Sequence, residues 1–189
     1  MNKSIFFQVS GKHGTHLCLS LELLGPNLIQ CLDPKTGMAL TNVRQIMKQI
    51  MEGLDYLHTK ANIIHTDLKP ENILLVHVSE PVNLYNPLPR IQVKIADLGS
   101  ACWIDKHFSD LIGTQEYRAP EVLLRGPYDT SVDIWAAACT AFELATGEYL
   151  FDPPGDPDTD EKDEEHLAQI IDLLGPIPQW GTNRTFAKN

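Results

Sequence analysis

Apolar residues fall into short runs near the start of the chain and into longer periodic segments further on, and this order predicts the elements. Phe6 to Val9 and His16 to Leu21 flank Ser10-Gly11-Lys12-His13-Gly14, the pattern of two antiparallel strands joined by a glycine-containing turn. Val43, Ile46, Met47, Ile50, Met51, Leu54 and Leu57 recur at helical spacing. A packed amphipathic helix is expected there, capped by Asn42 with Gln45 as its capping-box partner and with its methionines as core filler. Ile73 to Val76 and Ile91 to Ile95 read as strands, separated by a Pro- and Asn-rich stretch expected to be a surface loop. Val132 to Leu144 is apolar nearly all round, so a buried helix is expected, capped by Thr130 and ended by Gly147. A last helix, with Leu167, Ile170, Ile171 and Leu174 as its buried stripe, stops at Gly175-Pro176. The acidic run preceding Asp163 is expected to be a solvated flexible loop.

Composition narrows the class. The chain has 189 residues, one domain's worth, with 43% hydrophobic and 21% charged residues. No apolar run approaches the length needed to span a bilayer, and Met1 to Ser10 reads as neither a signal peptide nor an anchor. Cys18, Cys31, Cys102 and Cys139 stand singly, which argues against a zinc site or a disulfide framework and for reduced thiols in an intracellular compartment. The net charge of -10 disfavours nucleic acid and suits a basic partner.

Candidate chemistry concentrates in Ile64-His65-Thr66-Asp67-Leu68-Lys69-Pro70-Glu71-Asn72-Ile73-Leu74-Leu75. It sets a carboxylate, an ammonium and a carboxamide at fixed offsets between apolar flanks, with Pro70 stiffening the turn. Lys69, two residues after Asp67 along an extended loop, places a cation on the same side as the carboxylate. Taken alone, these residues also fit a solvated polar loop beside a buried strand. The downstream order decides against that: Asp97-Leu98-Gly99, then Gly113-Thr114-Gln115-Glu116-Tyr117-Arg118-Ala119-Pro120-Glu121, then Asp133-Ile134-Trp135. These strings resemble, in order, the metal-binding, Ala-Pro-Glu and Asp-x-Trp motifs of eukaryotic protein kinases. Within that group, His65-Thr66-Asp67 and Asp97-Leu98-Gly99-Ser100-Ala101-Cys102-Trp103 are similar to the SR protein kinases, which phosphorylate serines in Arg-Ser repeats of splicing factors.

The resemblance implies an α+β, protein-kinase-like fold. Residues 1–24 would be the end of the small lobe and the hinge, and residues 25–189 a mostly helical, incomplete large lobe. It implies serine/threonine phosphorylation with ATP and Mg2+. Asp67 would take the substrate hydroxyl proton, Lys69 would offset γ-phosphate charge, and Asn72 with Asp97 would hold the metal. Thr114 would bridge Asp67 and Lys69. Backbone groups of Glu22 and Leu24 would pair with the adenine edge, over a floor formed by Leu74. Asp133 would bind amides of the catalytic loop. Glu148, Glu165 and Asp172 match the acidic positions that dock basic Arg-Ser-rich substrates. The implied protein is a monomer of cytoplasm and nucleus that regulates mRNA processing, with no direct nucleic-acid or membrane partner.

Three departures shape the expectation. No G-x-G-x-x-G loop or V-A-I-K lysine occurs, so the chain reads as a truncated kinase domain, and an inactive pseudokinase-like module that keeps the acidic docking face is the alternative. The arginine that pairs with the Ala-Pro-Glu carboxylate is likewise missing, so Glu121 is expected to be unpaired. Thr66 stands where most kinases carry an arginine that binds an activation-loop phosphate, and a threonine cannot form that bidentate pair. Activity is therefore expected without activation-loop phosphorylation: phosphatase treatment should leave turnover intact, and abolished turnover would refute the idea.

Overall fold

The computed structural model describes residues 5–76, 83–155 and 160–177. The chain opens with an antiparallel hairpin, β1 (Ile5–Gly11) and β2 (Gly14–Ser20), paired from Ile5↔Ser20 to Gly11↔Gly14. Gly14 at φ 109° makes the turn. Phe6 and Leu17 remain 68% and 71% exposed, and no third strand joins the ribbon among the described residues.

From there the chain runs beside β4 (Ile73–Leu75), where Gly25 N–H donates to Leu75 O (2.8 Å) and Leu75 N–H to Pro26 O (3.0 Å). Helix α1 (Leu40–Tyr56) follows, burying Val43, Ile46, Ile50 and Leu54 along one face. Met47 packs partly against this core, whereas Met51 is exposed and fills nothing.

Asn42 is not the cap. The helix starts two residues earlier, with Ala39 at the N-cap, and Asn42 is fully buried. Its amide donates to Leu84 O and Asn86 O (2.9 and 2.8 Å), and its oxygen accepts from Leu88 N–H (2.9 Å). Gln45, expected in a capping box, instead bonds Leu88 O and Ile91 N–H, and Gln49 bonds Ile91 O and Val93 N–H. Three carboxamides spaced along one helix face thus take the place of a partner strand for the segment between Leu84 and Val93. That segment is no plain surface loop, since Leu84 and Ile91 are buried. It leads into β5 (Val93–Ile95), paired with β4 in the register Ile73↔Ile95.

Past α1 the chain continues through a π turn, Leu57–Ala61, that ends on left-handed Asn62 (φ 56°). Then β3 (Ile63–Ile64) pairs with β6 (Cys102–Trp103). After the short α2 (Pro120–Leu123) comes α3 (Ser131–Thr146). Thr130 occupies its N-cap position but makes no capping bond; the Asp129 carboxylate accepts from Ser131 N–H instead (2.8 Å). Gly147 ends the helix as expected, at φ 86°, and a Cβ there would lie 2.5 Å from Asp33 O.

Helix α3 is not buried all round. Val132, Ala136, Ala137, Cys139 and Leu144 face the core, but Ile134 is 43% exposed and Phe142 is exposed beside it, because nothing among the described residues packs on that side. The last helix, α4 (Asp160–Leu174), also departs from expectation. Residues 160–162 are helical, not loop, while Asp156 and Asp158 lie outside the described residues. Its inward stripe is Asp163, His166 and Ile170 with Leu167; Ile171 and the 63%-exposed Leu174 point to solvent.

The main core joins Leu28, Ile46, Ile50, Leu54, Leu68, Ile73, Leu84, Leu144 and Phe151. A second cluster of Ile64, Cys102, Ala119, Val122, Tyr128 and Val132 meets it at Trp135. Among the described residues no helix is long and apolar enough to cross a membrane. Because Asn42 is a buried clamp and not a cap, Asn42→Ser, which a cap position would tolerate, should cost about 2–3 kcal/mol in urea unfolding. Wild-type stability in that variant would return Asn42 to a capping role.

Candidate active site

The loop after β3 is fastened from below by one carboxylate. Asp133, in the first turn of α3, has no solvent exposure. Its Oδ2 accepts from His65 N–H (2.8 Å) and His58 Nε2 (2.7 Å), and its Oδ1 from Thr66 N–H (2.8 Å). Three donors compensate the burial of the charge. Thr66 takes a left-handed conformation (φ 70°), and its hydroxyl donates to Ser100 O (2.9 Å). His65 is fully buried as the Nε2–H tautomer: Nε2 donates to the Ala96 carbonyl (2.9 Å), while Nδ1 accepts from Asp67 N–H (3.4 Å).

Held in this way, the loop gathers four polar side chains. Thr114 donates to Asp67 Oδ1 through both its hydroxyl (2.7 Å) and its amide (3.2 Å). Lys69 Nζ lies 3.1 Å from Asp67 Oδ2 and donates to Thr114 Oγ1 (2.7 Å). Asn72 Nδ2 bonds Asp67 O (2.8 Å) and Oδ2 (3.3 Å), which turns its carboxamide oxygen away from Asp67. Burial alone would raise the Asp67 carboxyl, but hydrogen bonds from Thr114 and Lys69 and the Lys69 charge outweigh it. The group is held below the usual aspartate range.

Asp97 joins this cluster through the main chain. Ala96 N–H donates to Asn72 O (2.8 Å), and the same residue's carbonyl receives the His65 ring, so the residue before Asp97 touches both ends of the loop. The sharp turn falls on Asp97 itself (φ 62°) and not on Gly99. Gly99 is needed for a different reason. Its N–H donates to Asp97 Oδ1 (3.0 Å), and a Cβ at Gly99 would lie 2.9 Å from that oxygen. Asp97 is exposed, so one carboxylate oxygen and the Asn72 carboxamide oxygen are hard ligands of the type Mg2+ takes, with phosphate and water completing the shell. Among the described residues no group of three or more His, Cys, Asp or Glu side chains could hold a metal.

The residues expected around adenine lie along β4. Leu74 is half-buried on the face opposite buried Ile73 and Leu75, and it bridges to Asn27. Lys94, across the register from Leu74, forms an ion pair with the Glu22 carboxylate. Among the described residues no main-chain hydrogen bond engages Glu22 or Leu24. The three expected docking acids are exposed and form no ion pair among the described residues: Glu165 and Asp172 on α4, and Glu148 in the turn after α3. That turn is tied to α4 where Gln169 bonds both the amide (3.0 Å) and the carbonyl (3.1 Å) of Asp152. Glu121, expected without a partner, accepts from the Ser131 hydroxyl (3.1 Å).

Sequence reasoning missed a second buried cluster. Asp163 accepts from Arg118 (3.1 Å), Gln115 (3.0 Å) and Arg125 (2.9 Å), binding α4 to the segment that follows Thr114. A buried acid inside an acidic run carries no distinguishing pattern; the regular spacing of Asp163, His166 and Ile170 was the only available signal. Tyr117 likewise donates to the buried Glu143 on α3.

Residues 5–188 match the family described as protein kinase domain. Serine/threonine-protein kinase SRPK of Physarum polycephalum is 41% identical, over 92% of this chain and 51% of its own length. SRSF protein kinase 3 of Mus musculus is 27% identical, over 91% of this chain and 60% of its own. Serine/threonine-protein kinase SKY1 of Saccharomyces cerevisiae is 50% identical over 55% of this chain and 14% of its own. The chain spans about half the length of the first of these relatives.

The Asp67 geometry makes a titration prediction. A depressed pKa means that ionised Asp67 stabilises the fold above the ordinary aspartate value, and this contribution disappears as pH falls through the lower folded value. Thr114→Val removes the hydroxyl donor and should raise the Asp67 midpoint in a carboxyl 13C NMR titration; an unmoved midpoint would exclude Thr114 as a cause.

Proposed function

Since this chain belongs to the protein kinase family, we propose that it transfers the γ-phosphoryl group of ATP to serine hydroxyls of Arg-Ser-rich proteins, in the manner of the SR protein kinases. The observation that carries the reading is the convergence of Asp67, Lys69, Asn72 and Thr114 within hydrogen-bonding distance of one another. In this reading residues 1–24 belong to the small lobe and hinge, and the rest to the large lobe. Cytoplasm and nucleus are the proposed compartments.

Asp67 receives the proton of the substrate serine as its Oγ bonds to the γ-phosphorus and the bond to the β–γ bridging oxygen breaks, releasing ADP. Ionised by its hydrogen bonds, Asp67 is ready for this role at neutral pH. Lys69 spends donors on Asp67 and Thr114 and keeps one for a phosphate oxygen. Asn72 and Asp97 would hold Mg2+, whose chemistry is to neutralise charge on the phosphate oxygens. Leu74 would lie under the adenine, with main-chain groups of Glu22 and Leu24 available to pair with its edge. The hydroxyl of Thr66 secures Ser100 without any phosphate, in keeping with activity of the unphosphorylated loop.

Exposed carboxylates at Glu148, Glu165 and Asp172 suit guanidinium groups of a basic substrate. Phosphate transfer to an Arg-Ser peptide should fall about a thousandfold with Asp67→Ala. Charge reversal at Glu165 and Asp172 should raise KM about tenfold for that peptide and leave a neutral peptide unaffected. An equal effect on both peptides removes the docking role, and peptide binding without transfer in the wild-type chain would favour a non-catalytic binding module.

A further inference from the structure

Gln115 directly follows Thr114, and its side chain leaves the active site for α4. Its Nε2 donates to Asp163 Oδ1 (3.0 Å) and faces His166 Nδ1 (3.4 Å), while its Oε1 accepts from Arg118 (2.5 Å). Three of the four polar positions of this carboxamide are therefore directed at charged or titratable groups, and two of the three partners, Asp163 and His166, belong to α4. His166 has no solvent exposure, stacks at a tilt on Phe151 (5.2 Å between centroids), and leaves Nε2 without a hydrogen-bond partner among the described residues. A buried imidazole that leaves one nitrogen unsatisfied while its other nitrogen faces Gln115 spends its polarity on that contact.

The consequence reaches Asp67 through one peptide unit. Thr114 is extended (φ -71°, ψ 141°), and the tight turn Gln115–Tyr117 begins immediately after it. Holding the Gln115 side chain restricts rotation between the two residues, and with it the direction of the Thr114 amide and hydroxyl, both of which donate to Asp67. Arg118 braces the near side of the same turn by donating to Gly113 O (3.0 Å) and Ile112 O (3.2 Å). We propose that Gln115 and His166 are positioning residues for phosphoryl transfer, through which α4 fixes the Thr114 hydroxyl against Asp67. The catalytic meaning of that contact rests on the kinase reading above; the coupling itself does not.

Neutral His166 is what this contact requires, because only an unprotonated Nδ1 can accept from Gln115. Burial, with Arg118 nearby, lowers the ring to about 4, against the opposing pull of Asp163. The docking acids Glu165 and Asp172 stand on the outer side of the same helix that carries His166 on its inner side. A substrate seated on α4 would thus rest on the element that holds Thr114 in place.

The test uses the whole 189-residue chain with methyl-labelled threonine. Gln115→Met keeps the length of the side chain and removes its polar atoms; His166→Leu removes the acceptor, and His166→Asn returns one near the position of Nδ1. We expect the Thr114 methyl to lose order in Gln115→Met and His166→Leu, to regain it in His166→Asn, and to lose no more in the double variant. The Thr59 and Thr146 methyls, elsewhere in the fold, should not move. Turnover should fall about tenfold in the two disrupting variants with KM for ATP unchanged. An unaltered Thr114 methyl in Gln115→Met overturns the proposal even if the melting temperature drops, and so do additive losses in the double variant. A chain that shows these methyl changes but transfers no phosphate defeats the kinase reading and leaves the coupling standing.

Discussion

A charge placed where water cannot reach it governs the arrangement. The Asp133 carboxylate tolerates full burial because three donors converge on it, and two of them are consecutive main-chain amides of the loop after β3. Thr66, which carries the second of these amides, then bends the backbone into the left-handed region (φ 70°). That bend sends Asp67 to the opposite side of the loop. It also leaves the His65 ring and the Thr66 hydroxyl free to reach Ala96 and Ser100, on either side of Asp97. One desolvated carboxylate on α3 thereby links three stretches of chain that are remote in sequence.

The same physics recurs wherever regular structure runs out. Strands β3 to β6 are only two or three residues long, so much of the neighbouring main chain must find partners outside any sheet. Asn42, Gln45 and Gln49 meet that need for the segment leading to β5, and Arg118 meets it for Ile112 and Gly113. Buried carboxamides and guanidinium groups are costly to strand without partners and carry several donors in fixed geometry, which makes them better fasteners here than further apolar contacts. The catalytic cluster stands on scaffolding of this kind, and α4 is fastened to it by Asp163.

The apolar surfaces follow a different rule. Both faces of the β1–β2 ribbon and the Ile134–Phe142 side of α3 are exposed, although their sequences read as interior. Amphipathic pattern reports which residues would be buried given a neighbour, and among the described residues these faces have none.

Spacing along the chain was enough to identify the loop with Asp67, Lys69 and Asn72, the strands beside it, the principal helices and the family, because those features depend on residues close in sequence or on strings of fixed order. Asp133 was legible for the same reason, through its place in the Asp133-Ile134-Trp135 string. What only the tertiary structure decided was the employment of individual polar side chains. Asn42 looked like a cap and is a clamp; Asp163 was one acid among many in an acidic run and is buried against two arginines; Gln115 and His166 were given no role of their own. A carboxamide or carboxylate can satisfy its hydrogen bonds equally well with water or with protein, so its identity is silent until the fold brings donors and acceptors from distant segments within about 3 Å of it.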